Sequence, residues 1–176
     1  MVQVRTVHTA DLGAAVLQAV RVMVVAAFED LTSDDWEHAL GGMHALAWEG
    51  GQLAGHASVV QRRLLTGGRA LRTGYVEAVA VPVGRRGRGY GAAVMTAAER
   101  IVRGGYELGA LCANRKAAGF FAARGWQPWQ GPSSALTPAG LVRTPGADGA
   151  IFVLPVTVTL DLAGELTCDW RDGDVW

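Results

Sequence analysis

The sequence is poor in cysteine, has no net charge and lacks long apolar runs, and each absence excludes a class of protein. Two cysteines, Cys112 and Cys168, cannot form a disulfide framework and do not make a CxxC pair. Lys and Arg together number 16, as do Asp and Glu, so the basic field of a generic nucleic-acid binder is missing. The best apolar run, residues 22–28, is much shorter than the roughly 18 residues of a membrane span.

Signals for metal binding and secretion are also missing. The four histidines, His8, His38, His44 and His56, show no ligand spacing such as HxxxH, so no metal site is predicted. We expect structural roles for the last three of them. The first residues alternate polar and apolar side chains and lack the apolar core of a signal peptide. The prediction is therefore a soluble, cytoplasmic protein that binds neither membranes nor nucleic acids.

Length and composition predict one ordinary globular domain. The chain has 176 residues, of which 50% are apolar and 18% are charged, and this composition rules out wholesale disorder. No fixed-period repeat or low-complexity linker divides the sequence. We therefore expect residues 1–176 to form a single domain.

The apolar periodicity predicts helices around an antiparallel meander. Helical spacing indicates helices at 11–28, 90–105 and 114–124, with another helix starting near Ser33. Alternation and short buried runs indicate strands at 2–7, 43–48, 53–65, 69–81, 108–112, 126–129 and 151–160. The stretch 130–149 is rich in proline turns and is predicted to be mostly loop. This order favours an α/β (α+β) fold with a mixed, mostly antiparallel sheet.

The most informative segment is the glycine- and arginine-rich loop within residues 77–92, EAVAVPVGRRGRGYGA. It follows an apolar strand and opens a helix, so backbone N–H groups and the helix dipole can both face an anion. Three glycines strip side chains from the turn and three arginines add cations: Gly87, Gly89, Gly91, Arg85, Arg86 and Arg88. This chemistry suits a pyrophosphate, whereas the plainer alternative is a flexible basic loop beside a helix.

Two familiar phosphate-binding loops fit less well. A P-loop requires Gly-Lys-Ser/Thr, which the chain lacks. A Rossmann fingerprint is matched by Gly87-x-Gly89-x-x-Ala92, with Glu107 lying 20 residues beyond the first of these glycines. Five residues nevertheless separate the strand from the glycines, the preceding meander contains no βαβ unit, and little chain remains for a doubly wound sheet.

A third loop fits better. Arg86-x-x-Gly89-x-Gly91 after an apolar strand resembles the acyl-CoA pyrophosphate loop of the GNAT superfamily of N-acetyltransferases. The stretch from Asn114 to Trp126 resembles the second conserved block of that superfamily. Four further segments look like the aminoglycoside 2'-N-acetyltransferases, and the similarity extends over nearly the whole chain: DWEHALGGMHAL (35–46), GYVEAVAV (74–81), ARGWQPWQGP (123–132) and ELTCDWRDGDVW (165–176).

The resemblance implies a GNAT fold with a splayed pair of parallel strands, acetyl-CoA as the cofactor, an aminoglycoside as the partner and a homodimer. It also implies that a backbone N–H at the end of the VAV segment polarises the thioester carbonyl. The cofactor-binding positions carried over by the motifs are Val79, Ala80, Val81, Arg86, Gly87, Arg88, Gly89, Tyr90, Gly91, Ala92 and Asn114.

The resemblance further identifies Glu77 as the general base, acting through water. The alternative is a structural glutamate bound by an arginine such as Arg72, because a carboxylate in an apolar strand is costly unless it is paired or solvated. The implied substrate contacts include this residue and six others: Asp30, Glu77, Ala78, Cys112, Asp148, Asp174 and Trp176. Acidic groups suit a polycationic substrate of a neutral protein.

The chain departs from the family where many acetyltransferases carry a tyrosine that protonates the leaving thiolate, because Phe120-Phe121 stands there. Either the thiolate leaves unassisted, or Tyr90 or water serves. Cys112 is expected to be a small buried residue, and most tryptophans are expected in the core or an interface. The function predicted is acetylation of the 2'-amino group of aminoglycosides, which confers resistance. Acetylation of another amine and a non-catalytic CoA-binding regulator remain the alternatives.

Overall fold

The computed structural model describes residues 2–28 and 31–176. Within it the chain forms two compact units, one of Met1–Val60 and Val76–Ile101, the other of Gln61–Tyr75 and Val102–Trp176. Two long strands and one helix have residues in both units. The single domain expected from the sequence stays a prediction.

The helices are α1 (Ala14–Ala27), α2 (Ser33–Glu37), α3 (Tyr90–Gly105) and α4 (Ala118–Ala122). The strands are β1 (Gln3–His8), β2 (Met43–Glu49), β3 (Gln52–Thr66), β4 (Arg69–Ala80), β5 (Leu108–Cys112), β6 (Gln127–Pro128), β7 (Ser133–Thr137), β8 (Gly140–Arg143), β9 (Ile151–Pro155) and β10 (Leu166–Asp169). No helix in residues 2–28 and 31–176 is both long enough and apolar enough to cross a membrane.

The first unit packs two helices against the antiparallel strands β1, β2 and β3. Helix α1 buries Val20 and Val24 completely. Helix α2 begins with a capping box in which the Thr32 side chain accepts from the Asp35 N–H and the Asp35 carboxylate accepts from the Thr32 N–H. Trp36 of this helix joins the same buried cluster. The last residue of β4, Ala80, therefore packs in this buried apolar cluster.

The second unit carries a mixed sheet in the order β6-β9-β5-β4-β3-β10-β7-β8. The pairs β4–β5 and β7–β10 are parallel, whereas β5–β9, β6–β9, β3–β10 and β7–β8 are antiparallel. The β4–β5 register runs from Thr73 opposite Leu108 to Tyr75 opposite Ala110. A Cβ at Gly74 would lie 2.7 Å from the Tyr106 ring, so close packing requires glycine there. The predicted mixed, mostly antiparallel sheet is confirmed.

Several predicted boundaries were wrong. The stretch 130–149 contains the hairpin β7–β8, and the strand expected at 151–160 ends at Pro155 before β10 follows in the tail. The prolines that suggested a loop lie outside the strands, because Pro132 precedes β7 and Pro138 is in the hairpin turn. Helix α1 begins three residues later than expected, and α4 occupies only the centre of the helix expected at 114–124.

Candidate active site

In the first unit, β4 leads into the predicted phosphate loop, and the loop opens α3. Pro82 ends the strand, and a short 3₁₀ turn of Val83–Arg85 follows. Gly87 and Gly89 have φ values of 75° and 86°, in the left-handed region that favours glycine. Nothing lies within 4 Å of a Cβ built at either position, so the backbone conformation, and not packing, explains these glycines.

The amides at the start of α3 are the candidate anion-binding groups of this loop. The Ala93 N–H donates to the Gly89 carbonyl at 2.9 Å and closes the first helical turn. The amides of Tyr90, Gly91 and Ala92 come before that bond, so the helix itself supplies them with no acceptor. They lie at the positive end of the helix dipole, which favours an anion. Residues of this type and conformation fit the diphosphate of coenzyme A.

Two of the three loop arginines are already bound by the β2–β3 turn. Arg88 Nη2 lies 3.1 Å from Glu49 Oε2, and Arg85 donates to the side-chain oxygen of Gln52. Arg86 instead donates from Nε to the carbonyl of Val81 at 3.3 Å. The sequence predicted three cations for the ligand but gave no sign of this competing carboxylate, because Glu49 lies 39 residues before Arg88 in the chain.

Tyr90 is held by the same carboxylate. Its ring is almost completely buried, and its hydroxyl donates to Glu49 Oε2. This hydrogen bond raises the pKa of Tyr90 and lowers the pKa of Glu49. A tyrosine whose proton is held by a carboxylate is a weaker acid than usual. We therefore do not assign Tyr90 as the acid that protonates the leaving thiolate.

The predicted base and thioester-binding residues follow one another in β4. Glu77, Ala78 and Val79 are half-buried, and Ala80 is buried against the α1–α2 core. Ser58 Oγ donates to the Glu77 carbonyl at 3.4 Å. Ala78 has a φ of 49°, and among the described residues it is the one non-glycine with a positive φ. The strand is thus irregular at the point where the chemistry was predicted.

In the second unit, β5 ends beside the predicted asparagine. Asn114 is exposed, and its Oδ1 accepts from the Ala117 N–H at 3.0 Å. This bond orders the turn before α4 and leaves the Nδ2 hydrogens as the side chain's donors. Cys112 is exposed, so the expectation of a buried thiol was wrong. The buried cysteine is Cys168, in β10.

Asp148 lies in a hydrogen-bond network inside the second unit. Its Oδ1 accepts from the N–H and Oγ of Ser133 at 2.9 and 2.7 Å, and Arg143 Nη2 lies 2.8 Å from Oδ2. The bonds from Ser133 are the main cause that lowers the pKa of this carboxyl. Both oxygens have partners within the chain, so Asp148 is the predicted substrate contact with the least structural support.

Hydrogen bonds hold residues 171–176 against the rest of the second unit. Trp176 is 5% exposed, and its indole N–H donates to Thr144 Oγ1 at 2.8 Å. Its own N–H donates to Asp174 Oδ1 at 3.2 Å, and Arg171 Nε donates to the Asp174 carbonyl. The Cys168 thiol donates to the carbonyl of Val175 at 3.4 Å. These bonds fix the direction of the last residues, including two predicted substrate contacts.

The remaining acids and aromatics have mixed roles. Asp30 lies outside the described residues. Asp169 binds the buried Arg62, with Nε 2.7 Å from Oδ1, and therefore has a structural role. Phe121 packs edge-to-face on Trp126, whereas Phe120 is 37% exposed. Neither phenylalanine supplies the hydroxyl that many acetyltransferases have there.

Comparisons with known proteins agree with this geometry. The model of the acetyltransferase (GNAT) family matches residues 15–126. The chain belongs to this family. It is 56% identical over 177 residues to the aminoglycoside 2'-N-acetyltransferase of Mycolicibacterium fortuitum, covering 98% of this chain and 91% of that protein.

Solved structures show the same fold at low sequence identity. A GNAT family N-acetyltransferase from Escherichia coli, solved in complex with CoA, aligns with a TM-score of 0.66 at 15% identity, covering 95% of this chain and 89% of that one. A GNAT family acetyltransferase from Brucella melitensis, solved in complex with acetyl-CoA, aligns with a TM-score of 0.62 at 17% identity over 94% of both chains. The GNAT fold predicted from the two sequence blocks is confirmed.

Proposed function

We propose that this protein transfers the acetyl group of acetyl-CoA to the 2'-amino group of aminoglycosides. The observation that carries the proposal is the α3 start, where left-handed glycines follow β4 and present backbone amides ahead of the first helical hydrogen bond. The choice of acceptor is supported by the 56% identity to an aminoglycoside 2'-N-acetyltransferase over 98% of the chain.

The cofactor would be held mainly by main-chain groups. We assign the diphosphate to the amides of residues 86–92 and the pantetheine arm to Val79, Ala80 and Val81, with Asn114 Nδ2 as a further donor. When bound, acetyl-CoA supplies an acetyl group as an activated thioester. A main-chain N–H at the end of the VAV segment donates to the carbonyl oxygen of this group, where negative charge develops during transfer.

Glu77 is the group to which we assign proton removal. An amino sugar reaches the protein as an ammonium ion, and nitrogen can attack only after losing a proton. The Glu77 carboxylate takes that proton through a water molecule, which leaves a lone pair on nitrogen. As nitrogen forms the new C–N bond the C–S bond of the thioester breaks, and the sulfur leaves as a thiolate that takes up the second amine proton through solvent. No side chain is assigned to protonate the departing sulfur, because thiols ionise near pH 8.5 and Tyr90 is held by Glu49.

The substrate is expected to contact acidic groups and main-chain atoms. We assign ammonium and hydroxyl contacts to Asp30, Asp174 and Trp176, with smaller contributions from Ala78 and Cys112. The docked tail supports this assignment, since its hydrogen bonds order the chain terminus before any ligand arrives. Asp148 stays a weaker candidate.

The cellular location, the role in resistance and the oligomeric state are also proposals. Acetyl-CoA is an intracellular metabolite, which supports a cytoplasmic site of action and a role in antibiotic resistance.

A homodimer is supported by exposed apolar side chains on β7 and β8, where Leu136, Leu141 and Val142 are 48%, 59% and 47% exposed. Trp126 and Trp129, which were expected in the core or an interface, are buried within the chain, so the dimer proposal does not use them. Light scattering of the purified protein tests the oligomeric state.

A pair of closely related drugs tests the function. Kanamycin B carries a 2'-amino group, and kanamycin A carries a 2'-hydroxyl at that position. Free thiol release and a product heavier by one acetyl group are expected with kanamycin B, with little reaction of kanamycin A. Equal turnover of both drugs would assign another amine as the acceptor. Binding of CoA without thiol release from any amine would favour a non-catalytic CoA-binding protein.

A further inference from the structure

Two buried histidines form a hydrogen-bonded chain that ends on β4. His44 in β2 and His56 in β3 are both 0% exposed, and His44 Nδ1 lies 2.9 Å from His56 Nε2. At one end, Thr9 Oγ1 lies 2.7 Å from His44 Nε2. At the other end, His56 Nδ1 lies 2.8 Å from the carbonyl oxygen of Ala78. All four residues belong to the first unit.

The carbonyl acceptor at the β4 end determines which nitrogen of each ring carries the hydrogen and which way each hydrogen bond points. A carbonyl oxygen can only accept, so His56 Nδ1 carries a hydrogen and, in a neutral ring, Nε2 accepts. His44 must then donate from Nδ1 and accept at Nε2, which directs the single Thr9 hydroxyl hydrogen to His44 Nε2 at 2.7 Å and not to the Gly42 carbonyl at 3.2 Å. Thr9 accepts from the Gly41 N–H at 3.0 Å, which suits that role. Burial lowers the pKa of His44 to about 4 and that of His56 to about 3, so both rings are neutral near pH 7.

This series of hydrogen bonds ends on Ala78, the residue of β4 with the least favourable backbone conformation. Ala78 has a φ of 49°, a left-handed conformation that a side chain with a Cβ rarely adopts outside turns. Such a conformation persists only where the surroundings hold it, and it is commonly found at functional sites. The preceding carbonyl, of Glu77, also receives a side-chain donor from β3, Ser58. Side chains two residues apart on β3 therefore bind consecutive carbonyls of β4.

The position of this kink gives it a consequence for catalysis. Ala78 lies directly between Glu77, the base assigned above, and Val79, the first residue assigned to the pantetheine arm. In a regular strand, successive side chains alternate between faces, so Glu77 and Val79 would share one face. A left-handed residue between them breaks this alternation and redirects both neighbours.

We propose that His56 is a positioning residue for acetyl transfer: its hydrogen bond to the Ala78 carbonyl, relayed from Thr9 through His44, holds the left-handed kink that sets the directions of Glu77 and Val79. This inference rests on the proposed function. It gives the buried histidines a role distinct from that of a base, because neither ring has a free nitrogen to exchange a proton with a substrate.

Three variants test the inference by their kinetics. Leucine at position 56 removes the donor, whereas asparagine places an amide N–H near the position of Nδ1 and keeps it. We expect His56→Leu to lower kcat about tenfold or more, since small displacements of catalytic groups are costly. We expect acetyl-CoA affinity to change little, and His56→Asn to retain most of the turnover. His38→Leu, the same change at a partly exposed histidine that takes no part in this series of hydrogen bonds, is the matched control.

A second change separates positioning from general destabilisation. Glycine adopts the left-handed conformation without the penalty of a Cβ, so Ala78→Gly should restore much of the turnover of His56→Leu. Rates are compared per folded molecule, after circular dichroism has measured the folded fraction. Wild-type kcat in folded His56→Leu, or failure of Ala78→Gly to rescue it, overturns the inference.

A structural readout keeps this inference separate from the proposed function. Crystal structures of the wild type and of His56→Leu or, if that variant does not fold, Thr9→Val should differ in the φ of Ala78. An unchanged kink would overturn the positioning role even in an active enzyme. If the wild type acetylates no amine while the kink relaxes in the variants, the proposed function fails and the hydrogen-bond chain still holds the strand.

Discussion

Arg88 Nη2 lies 3.1 Å from Glu49 Oε2, so an arginine expected to bind the cofactor diphosphate is paired with a carboxylate of the same unit. The Tyr90 hydroxyl donates to the same oxygen. Glu49 thus orders the predicted phosphate loop and would compete with a bound phosphate for the positive charge of Arg88. Because the Arg88 side chain is half-exposed, the pair itself is worth little to stability.

Replacing Glu49 with glutamine should therefore strengthen cofactor binding. Glu49→Gln removes one negative charge next to the loop and keeps an oxygen that can accept from Tyr90. Because an exposed ion pair is weak and is screened by salt, we expect the Kd for CoA to fall by about twofold to fivefold at low salt. Calorimetry at two ionic strengths measures this, with Glu107→Gln as the matched control. Weaker binding by Glu49→Gln would mean that ordering the loop matters more than its charge.

Replacing Glu77 with glutamine tests the base. Because general acid–base groups contribute about 10²–10⁴-fold, we expect Glu77→Gln to lower kcat within that range. The acidic limb of the pH–rate profile should disappear while CoA affinity survives. A variant that keeps the wild-type limb would assign proton removal to another group.

Replacing Thr144 with valine tests the docked terminus. Thr144→Val removes the acceptor of the Trp176 indole N–H, and leaving a buried donor unsatisfied costs about 1–3 kcal/mol. We expect the KM for the aminoglycoside to rise about fivefold or more, while the KM for acetyl-CoA changes little. Thr137→Val, at the β7–β8 hairpin, provides the same chemical change away from the tail. Equal rises in both KM values would point to loss of the fold and not to loss of substrate binding.

The buried histidines predict acid sensitivity. Folding lowers the pKa of His44 from 6.5 to about 4 and that of His56 to about 3, mainly by burial, and the neighbouring His8 adds to the shift of His44. The unfolded chain therefore binds more protons below pH 6.5, and the free energy of unfolding falls as the pH drops towards these values. Urea denaturation should show a loss on the order of 2–4 kcal/mol between pH 7 and pH 5. A profile that is flat over this interval would mean that the rings are charged or solvated.

Local sequence signals predicted the elements that define the fold. The strand–loop–helix at β4–α3 could be predicted because glycines and arginines cluster between an apolar strand and a helical pattern. Gly87 and Gly89 adopt the left-handed conformation that favours glycine. The hairpin β7–β8 and strand β10 were missed because they are only four or five residues long and are flanked by turn residues. Their pairing, including the parallel register of Cys168 with Ala135, depends on distant partners that no local pattern reveals.

The site was predictable where a motif carried it, and not where it depends on tertiary contacts. The candidate residues of the loop and β4 follow from spacing and resemblance. Glu49, Thr144 and His56 were missed as contributors because each acts on a residue at least 22 positions away. An acid before a Gly-Gly turn, a threonine before a proline and a histidine inside a strand have common structural roles, so nothing local distinguished them.

The most direct test of the account measures the backbone amide resonances of residues 87–92 as CoA is added. Backbone resonances of the ¹⁵N-labelled protein, titrated with CoA and with pantetheine, separate the diphosphate from the rest of the molecule. Large shifts at Gly89, Tyr90, Gly91 and Ala92 with CoA, and small ones with pantetheine, are the expected result. If CoA binds while these amides stay unperturbed, the diphosphate lies elsewhere and the assignment of the α3 start as its binding site is wrong.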